Sequence, residues 1–252
     1  MQDQYPIGAV KTALDIVEAV VELDGAGVTE LSEHLGLPKS TVFDHLVTLQ
    51  NCGFLAKENQ AYKISYRFLE LGERRRHGEQ LVDIAAPELE KLATETDEYV
   101  SLVTEEDGEA IIIDTKRGDQ AVRVTVYNGI RMKMHTVAAG KAILAYLPDE
   151  RVDEILDTHG MEAATTNTTT DRETLFEELK DIRQQGYALD NEERIEGMRS
   201  IAAPIVDRAG AVHGSITVYG PTQRINDECF ARMIPQKLLE LTNVIEVTLN
   251  YE

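Results

Sequence analysis

Cysteine is nearly missing from this chain: Cys52 and Cys229 are the only two in 252 residues, too few for a disulfide framework. No apolar run approaches the ~18 residues of a membrane span. The start carries no signal-peptide or transit-peptide pattern, so the expectation is a soluble, cytoplasmic protein with no membrane partner. Positive charge is scarce as well: 25 Lys and Arg face 45 Asp and Glu, a formal charge of −20. A surface of that sign repels polyanions, which excludes a generic basic coat for nucleic acid. The histidines and cysteines lack ligand spacing of the C-x-x-C or H-x-x-x-H kind, and neither a metal nor a cofactor is expected.

Apolar residues, at 42%, suffice for a real core, and the length suits one large domain or, more comfortably, two. So many carboxylates suggest a high-salt cytoplasm, where self-repulsion is screened within roughly 3 Å at 1 M. An acidic protein of a low-salt cytoplasm is the alternative. The charge is uneven: the part before His77 is net −3 and the remainder net −17. Between Lys39 and Arg67 the sign reverses to a local +2, from Lys39, Lys57, Lys63 and Arg67 against Asp44 and Glu58. The triplet Arg74-Arg75-Arg76 and Gly78 interrupt the apolar pattern and make the natural connector.

In the first part, Val10, Ala13, Leu14, Val17, Val20 and Val21 recur at three- and four-residue steps and predict a helix over about 9 to 23, ended by Asp24-Gly25. Thr29 can cap the next, with Leu31 and Leu35 inward and Gly36 as its stop. Pro38 opens a third, with Val42, Leu46 and Leu49 inward until Gly53. Two helices joined by a short turn read as a helix-turn-helix. On the helical wheel Ser40, Asp44, Val47 and Asn51 face outward, flanked by Thr41 and Phe43. Residues 54–57 and 61–64 predict a hairpin, a wing whose Lys57 and Lys63 could reach phosphates. The same elements could also serve protein contact.

The run from Val28 to Val42, followed by Leu46, Leu49 and Gly53-Phe54-Leu55, resembles the winged helix of the IclR family of transcription regulators, and nearly the whole chain can be laid on that family. One departure concerns DNA reading: where many members carry Arg in the recognition helix, this chain has Asp44, then His45 in place of an apolar residue. An Asp cannot grip phosphate or guanine but can accept from cytosine N4. The DNA-facing residues are therefore Lys39, Ser40, Thr41, Phe43, Asp44, Val47, Lys57 and Lys63.

In the second part, Leu81 to Leu92 predict a helix running across Pro87. Residues 99–103, 110–113 and 121–127 predict strands of an antiparallel sheet, and Asn128-Gly129 a hairpin turn into 130–135. His135 to Ala142 matches a signature of the resembling family, and its small residues allow either ligand approach or plain close packing. Residues 186–193, 197–204 and 215–221 resemble the family closely too. Alternation sets Ser215, Thr217 and Tyr219 on one sheet face and Ile216 and Val218 on the other. By the resemblance, the acid that contacts the effector falls on Asp190, a commonly cysteine position on Ser200, and two small hydroxyl positions on Thr217 and Tyr219, the last much larger than the usual serine. Ala139 and Gly140 would offer backbone N–H groups, and Met132 and Met134 an adaptable wall or simple core.

The resemblance implies an α+β protein: a winged helix-turn-helix DNA-binding domain (1–66), a linker helix (67–80) and a C-terminal α/β, GAF-like effector-binding domain with an antiparallel sheet (81–252). Its partners would be a pseudo-palindromic double-stranded operator, a small-molecule effector such as an organic acid or sugar-derived catabolite, and a second copy in a homodimer or dimer of dimers controlling a catabolic operon. No catalytic residue is expected. The competing readings are a hydrolase using Ser200, His135 and Asp190, although no G-x-S-x-G elbow surrounds the serine, and a protein-binding winged-helix adaptor.

Overall fold

The periodic apolar residues near the start wind into helix α1 (Gly8–Glu22) in the computed structural model, which describes residues 5–251. Of its apolar residues Ile16, Ala19 and Val20 are buried, while Val10, Leu14 and Val21 remain exposed. Apolar residues cover more of this helix than one small core can use. Helix α2 (Val28–Leu35) starts immediately after Gly27, so Thr29 lies inside it and does not cap it. The cause is local: Ala26 exchanges both backbone hydrogen bonds with Tyr62, and the chain turns into the helix directly from that bridge. Gly36, at φ +66°, ends α2 in the left-handed conformation that glycine adopts without steric cost. Helix α3 (Lys39–Asn51) follows Pro38, and strands β1 (Leu55–Glu58) and β2 (Ala61–Ile64) form the antiparallel wing. Ile16, Val20, Leu31, Val42, Leu46, Leu55 and Tyr62 make one core from all five elements. Helix α4 (Arg67–His77) completes this unit, which spans Met1–Gly78.

The second unit, Glu79–Glu252, opens with helix α5 (Gln80–Thr96), which accommodates Pro87 as expected. Strands β3 (Tyr99–Glu106), β4 (Glu109–Arg117) and β5 (Arg131–Lys133) come next, then a short 3-10 turn at Met134–Thr136. Helices α6 (Ala138–Leu144), α7 (Asp149–His159) and α8 (Arg172–Gln185) precede β6 (Ala188–Asn191), β7 (Met198–Val206), β8 (Val212–Pro221) and helix α9 (Ile234–Leu249). All strands after the wing join one antiparallel sheet in the order β5-β4-β3-β8-β7-β6. Strict alternation splits their side chains. Val100, Leu102, Ile201, Ala203, Ile216 and Val218 pack against α5 and α9 on one face. Val103, Ala110, Ile112 and Ala202 pack with α6, α7 and α8 on the other.

One expected strand is absent. Residues 121–127 belong to no ladder, although Val124 and Val126 are half-buried while Arg123, Thr125 and Tyr127 are exposed. The edge of β4 is already used: β5 pairs with Glu109 to Ile111, and Ile112 bonds to Gly129 and Ile130. The Asn128-Gly129 turn does form, with Gly129 at φ +98°, yet it joins an unpaired segment to β5.

Candidate functional site

The sheet face that carries Thr217 and Tyr219 borders a cavity of about 280 Å³ inside the second unit. That volume lies at the small end of ligand pockets, roughly 300–1,000 Å³. Met132, Ala139, Asp190, Ser200, Thr217 and Tyr219 all line it. Met134 and Gly140 do not. Met134 begins the 3-10 turn after β5 and so leaves the strand face it would have shared with Met132, and it is buried in the core. Gly140 serves close packing: a Cβ there would lie 2.2 Å from the carbonyl oxygen of Met134. The cavity also takes Ile112, Val124, Thr125, Val126, Ile130, Val137, Arg194, Ile195, Met198 and Arg199, none of them singled out by the sequence reading as a site residue. Gly197 and the charged run before it mark a turn there, the only sequence signal that could have found Arg194.

Asp190 is buried, and both of its carboxylate oxygens are occupied. Oδ1 accepts from the Glu193 N–H at 2.7 Å and Oδ2 from Ser200 Oγ at 2.9 Å. Burial pushes its pKa up, opposed by these hydrogen bonds and by the charge of Lys141. Lys141 itself is fully buried and held by Glu178 at 2.5 Å and Glu193 at 2.7 Å. Burial works against its charge, but the two carboxylates outweigh that and its pKa is raised. Burial pushes Glu193 up to about 7, with Lys141 opposing, and its Oε2 has no hydrogen-bond partner. Tyr219 is stacked on Tyr99 with ring centres 5.4 Å apart, its hydroxyl 3.3 Å from Ser101 Oγ and its pKa pushed up by burial to about 12.

The hydrolytic constellation does not assemble. His135 Nε2 meets the Glu162 carbonyl oxygen at 3.2 Å, and Ser200 donates straight to Asp190 with no imidazole between them. Burial lowers the His135 pKa and favours its neutral form.

In the first unit, Lys39, Ser40, Phe43 and Asp44 on α3 are exposed, and Thr41 and Val47 are half-buried. Thr48 Oγ1 donates to the Asp44 backbone carbonyl at 2.8 Å, and no ion pair engages the Asp44 carboxylate among the described residues. On the wing, Lys57 Nζ lies 5.1 Å from the Tyr62 ring centre and Lys63 Nζ 3.2 Å from Glu58. The basic charge of the wing is thus partly answered within it.

Comparison with known proteins matches both units. Residues 9–59 match the IclR helix-turn-helix domain, and residues 76–245 the domain described as bacterial transcriptional regulator IclR C-terminal. The chain is 34% identical over 249 residues to a probable HTH-type transcriptional regulator, ArcR, of Halobacterium salinarum, covering 96% of this chain and 94% of that one. It is 32% identical over 250 residues to the transcriptional repressor IclR of Escherichia coli, covering 97% and 90%. The IclR crystal structure from Thermotoga maritima superposes with a TM-score of 0.81 at 27% identity, covering 97% of this chain and 99% of that one.

Proposed function

Since the chain belongs to the IclR family of transcription regulators, we propose that it is a cytoplasmic, homodimeric regulator of a catabolic operon. Residues 1–66 read a pseudo-palindromic operator, 67–80 link, and 81–252 bind a small organic acid or sugar-derived catabolite. The exposed face of α3 beside a lysine-bearing wing carries the DNA reading. Ser40, Thr41, Phe43 and Asp44 meet the bases, with Val47 beside them, and Lys39, Lys57 and Lys63 meet the backbone. The exposed line of Val10, Leu14 and Val21 on α1 supports association with a second copy, because apolar rows of this kind are costly to leave in water. Asp190, Ser200, Thr217, Tyr219, Met132 and Ala139 supply the effector site, and the Asp190–Ser200 contact shapes its floor. No catalysis is assigned to it. The acidic composition and the Halobacterium relative support a high-salt cytoplasm as habitat.

Genome-wide mapping of bound DNA at the protein's working salt tests this reading. The expected result is a small set of two-fold symmetric sites beside catabolic genes. Failure to protect any DNA fragment would favour the protein-binding adaptor.

A further inference from the structure

The cavity holds two guanidinium groups in opposite circumstances. Arg199 is engaged: Nε donates to Asn191 Oδ1 at 2.8 Å, a terminal nitrogen donates to the Ile225 carbonyl at 3.0 Å and Asp227 at 2.8 Å, and the Phe230 ring lies 4.7 Å away. Arg194 lines the same cavity, yet among the described residues no hydrogen bond or ion pair engages its guanidinium. Asp190 acts on it only as a nearby charge, since both Asp190 oxygens are taken by Ser200 and the Glu193 N–H. Arg194 is half-buried, and a guanidinium at a cavity wall that no protein group engages keeps its donors free for a ligand.

The turn that carries Arg194 is also firmly set. Glu192 and Gly197 hold left-handed conformations at φ +64° and +79°, and the Gly197 N–H donates to Glu192 Oε2 at 2.7 Å. The Glu193 carbonyl accepts from Thr168 Oγ1 at 2.5 Å and from Thr165 Oγ1 at 3.1 Å, while the Glu193 side chain is held by Lys141. Arg194 therefore extends from a prearranged support, which lowers the ordering cost of using it.

Resting on the reading of this cavity as the effector site, we propose that Arg194 anchors the effector's carboxylate and that the effector is a monocarboxylate with a compact, mainly apolar body. A planar guanidinium presents donors in a fork that fits a carboxylate in bidentate fashion. In a protein of net charge −20, an anion needs a dedicated local cation. Only one is uncommitted here, so a second carboxylate would be buried without a partner. The remaining wall is formed largely by Ile112, Val126, Ile130, Met132, Val137 and Met198, which suit carbon rather than a row of hydroxyls. Thr125 and Thr217 are the hydroxyls on the wall that no hydrogen bond engages among the described residues, and they leave room for one or two polar substituents on an otherwise apolar body.

Calorimetry on the full chain in molar KCl tests the proposal, with 4-methylpentanoate and benzoate as probes and their primary amides, succinate and gluconate as comparisons. At least one monocarboxylate should bind, its amide should bind roughly 10- to 100-fold more weakly, and Arg194→Met should cause a similar loss that Arg194→Lys partly restores. Thermal melts of each variant establish that the fold is kept. Equal binding of acid and amide, stronger binding of succinate or gluconate, no binding by either monocarboxylate, or Arg194→Met without effect would overturn it. If binding is lost in Thr217→Val but not in Arg194→Met, the cavity reading stands and the anchor is wrong. If neither substitution matters, the ligand sits elsewhere and the cavity reading falls with it.

Discussion

Single residues in the second unit show how few groups are left free for a ligand. The Asp190 carboxylate is spent on the turn and on Ser200, and Lys141 is enclosed by Glu178 and Glu193. Glu193 carries a consequence for acid stability. An unfolded glutamate titrates near 4.5, whereas burial holds this one at about 7 in the fold. Between those values the folded chain binds more protons than the unfolded one, so this group's stabilisation is complete at low pH and is lost as pH rises through about 7. Glu193→Gln should therefore flatten the fall in melting temperature between pH 5 and 7.5, measured against the parent in matched salt. Parallel curves for the two proteins would show that Glu193 is charged in the fold throughout that range.

At the scale of elements, the wing and α3 divide their work. Lys63→Ala should weaken binding to all operators about equally and flatten the salt dependence by roughly one unit, since one phosphate contact is lost. The internal pair with Glu58 reduces this effect, so Glu58→Gln should strengthen binding without changing sequence preference. Asp44→Ala should instead shift base preference, readable by selection from random DNA. Identical preference changes from Lys63→Ala and Asp44→Ala would refute this division. These elements were largely legible in the sequence, because Gly36, Pro38 and Gly53 punctuate the helices locally and alternation marks the wing. Residues 121–127 were not, since their strand-like pattern says nothing of β5 having taken the neighbouring edge. On α1, periodicity predicts the helix but not which of its apolar rows a core covers. Thr217 and Asp190 were found through the resemblance. Arg194 was missed because the sequence marks only a turn there, whereas a guanidinium that no other described residue engages shows itself only in the folded chain.

For the whole molecule, charge of one sign sets the working conditions. Exposed pairs such as Arg172 with Asp153 and Arg131 with Glu106 and Glu109 contribute little, because water screens them and their long side chains lose freedom. The unpaired excess of carboxylates repels over about 10 Å at 0.1 M salt but only about 3 Å at 1 M. The melting temperature should accordingly climb from dilute buffer to molar KCl, and specific DNA binding should persist there through hydrogen bonds and shape. A melting temperature indifferent to KCl would remove the high-salt habitat and leave the regulator reading untouched. The stretch 121–127 borders the cavity through Val124, Thr125 and Val126 without a single ladder hydrogen bond. Moving it aside breaks no ladder hydrogen bond, so it should open at lower cost than the paired strands that also wall the cavity. Its amides should exchange with solvent far faster than those of β3 or β8 and slow when ligand is bound.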